Sequence, residues 1–209
     1  KGNVIDPVAL AEKYGVDAIR YYLLREVPFG SDGSYSEDAL IKRINVDLAN
    51  DLGNLLHRTG AMIEKFNGGV IPDPGVSEAL DLELQKTAAE AAAEVNHHMD
   101  HLVINEAVAA IWKLVGKTNK YIDEAAPWAL AKDETKKARL GTVLYHMAEA
   151  LRITAVLLQP FLTSTPDKIW SQLGLSGSVA QVDWEQGAKW GGIPSGTRIR
   201  RGDPLFPRI

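Results

Sequence analysis

Asn54 and Arg58 stand one helical turn apart in NVDLANDLGNLLHR (residues 45–58), and Trp128 follows Pro127 in NKYIDEAAPW (residues 119–128). An amide offers both a donor and an acceptor, and a guanidinium offers a planar fork of donors, which is the equipment for reading the edge of a nucleobase. Asp47 and Asp51 extend the pair at spacings that put all four on one face of a uniform α-helix, where either carboxylate can hold Arg58. The same spacing also describes an exposed helix face with a salt bridge, and spacing alone favours that reading. Pro127 fixes its own φ and pushes the preceding residue out of helical geometry, so Trp128 sits at a stiff corner. A flat ring there can be a stacking platform for a base or the plug of a core. Composition favours the plug.

Other candidate chemistry is thin. Glu94 and His97 form one E-x-x-H, with His98 and His101 nearby, whereas a di-iron bundle requires two such motifs and two further glutamates. A solvent-facing polar helix end is expected there, and no metal. Neither a glycine-rich phosphate loop nor a G-x-S-x-G or H-E-x-x-H motif occurs, and nothing brings Ser, His and Asp together. Catalysis by this chain alone is not expected.

The elements that must position these residues read as helices. Asp6-Pro7 starts a short helix that Gly15 stops, Val16 to Glu26 forms a second, and residues 28–33 form a loop. Ser34 with Glu37 has capping-box spacing, and Ser36 is a competing cap. Apolar residues then recur from Leu40 to Phe66, until Asn67-Gly68-Gly69 ends a helix expected to be about 45 Å long. Further runs span about 77–101, 104–124, 133–158 and 165–173. Long helices with short connections predict an all-α, antiparallel bundle. From Gly174 the texture turns to glycine, serine and isolated tryptophans. Leu205, Phe206 and Ile209 then read as anchors for another surface, and Arg198, Arg200 and Arg201 as a basic cluster.

The 209 residues, 45% hydrophobic and 24% charged, are ordinary for a globular chain. A net charge of −4 argues against sequence-blind binding of nucleic acid, DNA included, but leaves room for a reader of a few chosen bases. The absence of cysteine excludes disulfides and thiolate metal sites and fits a reducing, cytoplasmic setting. No apolar run approaches the roughly 18 residues of a membrane helix. The chain starts at Lys1, and residues 1–5 read as the middle of a loop, so a piece of a longer protein is expected.

Several segments together resemble the methionyl-tRNA synthetase family, most of all its bacterial branch. They are VIDP (4–7), YGVDAIRYY (14–22), LREVPFG (24–30), the segment 45–58, IDEAAPW (122–128), QPFL (159–162) and LFPRI (205–209). The resemblance is weakest between Val70 and Ile104 and between Ser176 and Trp184. It implies that Lys1 follows the family's KMSKS loop, with the HIGH motif, the Rossmann catalytic domain and any zinc-bearing insertion upstream. ATP with Mg and methionine would bind there, with no cofactor in this chain. Residues 1–33 would be the stem-contact segment and 34–173 the anticodon-binding bundle, of class Ia type. Residues 174–209 would be a tail returning to the catalytic domain. The family reads the CAU anticodon of methionine tRNA, elongator and initiator, with an asparagine and arginine one turn apart and a tryptophan after a proline. The matching positions are Asn54, Arg58, Pro127 and Trp128, with Asp51 or Asp47 in support. The intact protein would be an ATP-dependent methionine–tRNA ligase, and this part would bind tRNA weakly without catalysing the reaction.

Overall fold

A computed structural model describes residues 6–209; the expected loop at Lys1–Ile5 and the first two residues of VIDP lie outside the described residues. Helix α1 (Pro7–Tyr14) starts as the sequence predicts, with the Val8 amide donating to Asp6 Oδ1 at 2.8 Å. Gly15, at φ +89°, turns the chain into α2 (Val16–Glu26). Of the two candidate caps it is Ser36 that opens α3 (Glu37–Arg43), accepting from the Ala39 amide.

The long helix continues from α3 to α4 (Asn54–Asn67), but not as one uniform α-helix. From Ile44 to Gly53 it is wound as a π-helix, and the Asn54 amide still reaches back five residues to the Ala49 carbonyl. Such winding usually appears as a single-turn bulge, so a segment of 10 residues needs support from outside. That support comes from α6 (Ile104–Ala125), where Trp112 Nε1 donates to the Asp47 carbonyl at 3.3 Å and Asn119 Nδ2 to the Asp51 carbonyl at 3.1 Å. The expectation of a uniform helix about 45 Å long is corrected accordingly, because apolar spacing of three to four does not separate α from π winding.

Helix α5 (Ala79–Asp100) pairs with α6, and a short α7 (Pro127–Leu130) forms the proline corner. Helix α8 (Lys137–Leu158) is the central pole: every residue from Thr142 to Leu158 is buried, as suits a helix apolar nearly all round. Helices α4, α5, α6, α7 and α9 (Thr165–Gln172) pack around it. Among the described residues no strand forms, only an isolated antiparallel bridge between Val70 and Arg198.

The lead-in is clamped to the bundle through α2. Asp17, buried, accepts from the amides and hydroxyls of Thr163, Ser164 and Thr165 at the start of α9, at 2.6 to 3.1 Å. Arg20 Nε donates to the Phe161 carbonyl at 2.7 Å.

The tail docks on this chain's own bundle, adding α10 (Trp184–Gly187) and burying Ile193, Ile199 and Leu205, whereas Ile209 stays 50% exposed. A buried pair within α8 holds it. Glu149 accepts from the Gly191, Gly192 and Ile193 amides, and Arg152 donates to Glu149 and to the Gly187 and Lys189 carbonyls. A Cβ on Gly192 would stand 2.6 Å from Arg152 Cζ, so the close approach requires glycine.

Candidate nucleic-acid interface

Helix α6 ends at Ala126, whose φ of +45° and ψ of 60° put a non-glycine residue in the left-handed region. That conformation costs on the order of 1 kcal/mol, and the following proline bars the ordinary helical alternative. Pro127 is buried and starts α7 at its first position, where its missing N–H loses nothing. The chain is thereby forced outward at Trp128, which is 42% exposed and whose indole hydrogen-bonds no described residue. The plug reading of this ring is thus set aside: the buried residue of the corner is the proline. Beyond Trp128, Leu130 and Ala131 line an open hollow together with Lys65, Phe66 and Lys137.

Arg58 lies on α4 facing the last turn of α6. Its Nη2 donates to Asp123 Oδ1 at 2.7 Å, and its side chain is 26% exposed. Asp123 is five residues before Trp128, so one ion pair ties the guanidinium to the last turn of α6, which leads into the corner that carries the ring. The expectation that Asp51 or Asp47 holds Arg58 is corrected. Asp47 is buried against the lead-in, accepting from Tyr21 Oη at 2.6 Å and Arg43 Nη1 at 2.8 Å. Asp51 is half-buried, and burial, with the Asp47 charge adding to it, pushes its carboxyl above the usual range. Both lie in the π-wound segment, and its wider turn carries them off the line that α-helical spacing draws through Asn54 and Arg58.

Asn54 is exposed and its amide meets no described partner. In the α-helical stretch that follows it, Arg58 lies about 40° to one side and His57 about 60° to the other. On the Arg58 side stand Asp123 and, further along, Trp128. On the His57 side the tail returns, with Arg201 Nη2 3.0 Å from His57 Nε2. A free amide thus stands beside an oriented guanidinium, with an exposed indole on the short helix that follows the one the guanidinium is tied to. Unstacked bases of single-stranded loops are read by this combination, edges by hydrogen bonds and faces by stacking.

The turn of α6 before the corner is also held from inside. Tyr121 Oη donates to the fully buried Asp81 at 2.5 Å, and Arg139 Nη1 donates to the same carboxylate at 2.8 Å, joining the starts of α5 and α8 to the end of α6. Asp123, Asn119 and Tyr121 all lie within residues 119–128, but the partners that join them to other helices are 40 to 68 residues away. Only a fold could pair them.

His97, His98 and His101 cluster at the end of α5, with the His97 and His101 rings 4.4 Å apart, while Glu94 is taken by Lys113 at 2.6 Å. Among the described residues no group of three or more His, Cys, Asp or Glu is placed to hold a metal ion. No helix among them is long and apolar enough to cross a membrane.

Comparison with known proteins gives concordant matches. A family profile described as the anticodon binding domain of methionyl tRNA ligase matches residues 71–209, and one described as tRNA synthetases class I (M) matches residues 1–60. The chain is 54% identical over 209 residues to the methionine–tRNA ligase of Caldanaerobacter subterraneus subsp. tengcongensis and 50% identical over 210 residues to that of Bacillus subtilis. In each case all of this chain aligns, with 32% and 31% of the relative, so the chain spans about a third of their length. Crystal structures of Mycobacterium tuberculosis methionyl-tRNA synthetase superpose with a TM-score of 0.91 at 42% identity. The free form covers 98% of this chain and 41% of that one, and the form in complex with methionyl-adenylate covers 100% and 40%.

Proposed function

The chain belongs to the methionyl-tRNA synthetase family and carries its anticodon-binding domain, and on that premise we propose that Asn54, Arg58 and Trp128 read the first base of the CAU anticodon of methionine tRNA. Cytosine stacks on the Trp128 indole, and its edge is bonded by the Asn54 amide and the Arg58 guanidinium. Pro127 serves by fixing the corner. Asp123 orients Arg58, the part once expected of Asp51 or Asp47. The observation that carries the reading is the exposure of Trp128 on a corner locked by Ala126 and Pro127, tied through Asp123 to Arg58.

The whole protein is then an ATP-dependent ligase joining methionine to its tRNA, elongator and initiator alike, in the cytoplasm. Binding of ATP with Mg and of methionine, and any zinc, fall to the two-thirds of the relatives' length that this chain does not span. The outer side of the tail, including the exposed Ile209, is the surface offered to the catalytic domain. This division of labour predicts that the 209-residue chain shows no methionine-dependent pyrophosphate exchange, and detectable exchange would refute it.

Truncation of the ring tests the site. Trp128→Ala should weaken binding of a CAU anticodon stem–loop by ~1–3 kcal/mol, the usual worth of one base–aromatic stack. It should also narrow the preference for CAU over loops with another first base. In the complete ligase the same substitution should leave methionine activation by ATP intact. An undiminished CAU preference in Trp128→Ala would remove the ring from the site.

A further inference from the structure

We propose that the tail contributes a phosphate-binding rail to the RNA interface, in which Arg201, with Arg200 beside it, takes a phosphodiester group of the anticodon arm on the side of Asn54 away from Trp128. The proposal rests on the reading of Asn54, Arg58 and Trp128 given above and adds residues that this reading does not use.

The tail runs along the helix that carries Asn54. Arg208 Nη2 meets Asn50 Oδ1, Arg201 Nη2 meets His57 Nε2 at 3.0 Å, and Arg198 Nη1 meets the Gly68 carbonyl at 3.1 Å. Ile199 is buried and points at Gly60, and this anchors the segment on α4 with Arg198 and Arg200 directed outward. The register places Arg201 one residue from Arg58 and three from Asn54 along the helix, through His57.

Four of the six arginines outside the tail are ion-paired, the exceptions being Arg20 and Arg25. Arg43, Arg58, Arg139 and Arg152 are each paired with a carboxylate. Arg198, Arg200, Arg201 and Arg208 are exposed, and among the described residues none of them forms an ion pair. Glu64 Oε2 and Arg198 Nη1 both flank Gly69, so of the four it is Arg198 that has a carboxylate close by. In a chain with a net charge of −4, guanidiniums without an ion pair strung along the helix that carries an exposed amide fit a polyanion that must reach that amide. A guanidinium meets phosphate bidentately, and such contacts position a nucleic acid without reading its sequence.

Salt dependence separates this role from base reading. For a CAU anticodon stem–loop, Arg201→Gln should make the slope of log Kd against log salt shallower by about one, as expected for one lost phosphate contact. The loss of affinity should be the same factor for CAU and for loops with a changed first base. Arg201→Lys, which keeps the charge, should retain the wild-type slope. Arg200→Gln, at an exposed side chain with no hydrogen bond or ion pair to a described residue, gives the same readout without removing a polar contact that docks the tail. An unchanged slope in Arg201→Gln and Arg200→Gln would overturn the rail, as would a loss confined to CAU. Trp128→Ala run in parallel keeps the two ideas apart. A slope unchanged in that variant with CAU preference reduced leaves the base-reading site standing whatever the arginines do, and a preserved preference removes that site without touching the rail.

Discussion

Asn54, Arg58 and Trp128 do different physical work, and substitutions should separate them. Arg58→Lys keeps a positive charge but loses the planar fork and the geometry of the Asp123 pair. It should cost CAU binding about 1–3 kcal/mol, the penalty of leaving a buried donor or acceptor unmatched, while loops with another first base change little. Equal losses for all loops would reduce Arg58 to a general cation. Much of this was legible in the sequence, because one helical turn between Asn54 and Arg58 and a tryptophan after a proline are local facts. What holds them was not. Asp51 and Asp47 had suitable spacing as partners of Arg58, yet the partner is Asp123, 65 residues away, since π winding turned Asp47 toward Tyr21 and Arg43.

Elements are joined in this chain by single buried groups, and two of them make stability depend on pH. Burial works to raise the Asp17 carboxyl, but the hydrogen bonds from Thr163 and Thr165 outweigh it and hold the group well below the usual carboxylate range. Its stabilising effect is therefore complete above about pH 4, the unfolded value, and is lost as pH falls below it. Asp17→Asn should destabilise the protein by on the order of 3 kcal/mol at neutral pH, and the gap between the two melting curves should close in acid. A gap that stays constant to low pH would contradict the account. His146 works on a higher window. Buried between Tyr121 and Trp190, it has its pKa lowered by burial, against the opposing pull of the Thr142 carbonyl. Below about pH 6.5 the unfolded chain binds a proton that the folded one resists, so stability falls as pH drops from that value toward the lowered one. His146→Gln should flatten the melting temperature between pH 7 and pH 5. Helix limits were readable wherever a single local signal sets them, as at Asp6-Pro7, Gly15 and Gly68, whereas Ser34 and Ser36 competed until the fold chose Ser36. The π segment and the left-handed Ala126 were not, because the first depends on Trp112 and Asn119 across the bundle and the second on the packing of Pro127.

At the scale of the molecule, a buried central helix packs against both α7, which carries Trp128, and the returning tail. Glu149 and Arg152, in the middle of α8, are charged residues in an otherwise apolar run, and their five contacts with residues 187–193 explain their presence. Glu149→Ala would leave a buried guanidinium and three amides unmatched, so thermal unfolding should show a loss of about 3–5 kcal/mol. A loss below 1 kcal/mol would mean that the tail is held elsewhere. The docked tail in turn sets the arginines beside the helix that carries Asn54 and Arg58, which gives an acidic chain a locally cationic edge. The claim on which the rest depends is that this surface discriminates a CAU anticodon. The direct measurement is the Kd of the chain for a CAU anticodon stem–loop against the same loop with its first base changed. The account predicts tighter binding of CAU by about tenfold or more, equivalent to roughly 1.4 kcal/mol for one mismatched set of hydrogen bonds. Equal affinity for the two loops would contradict it.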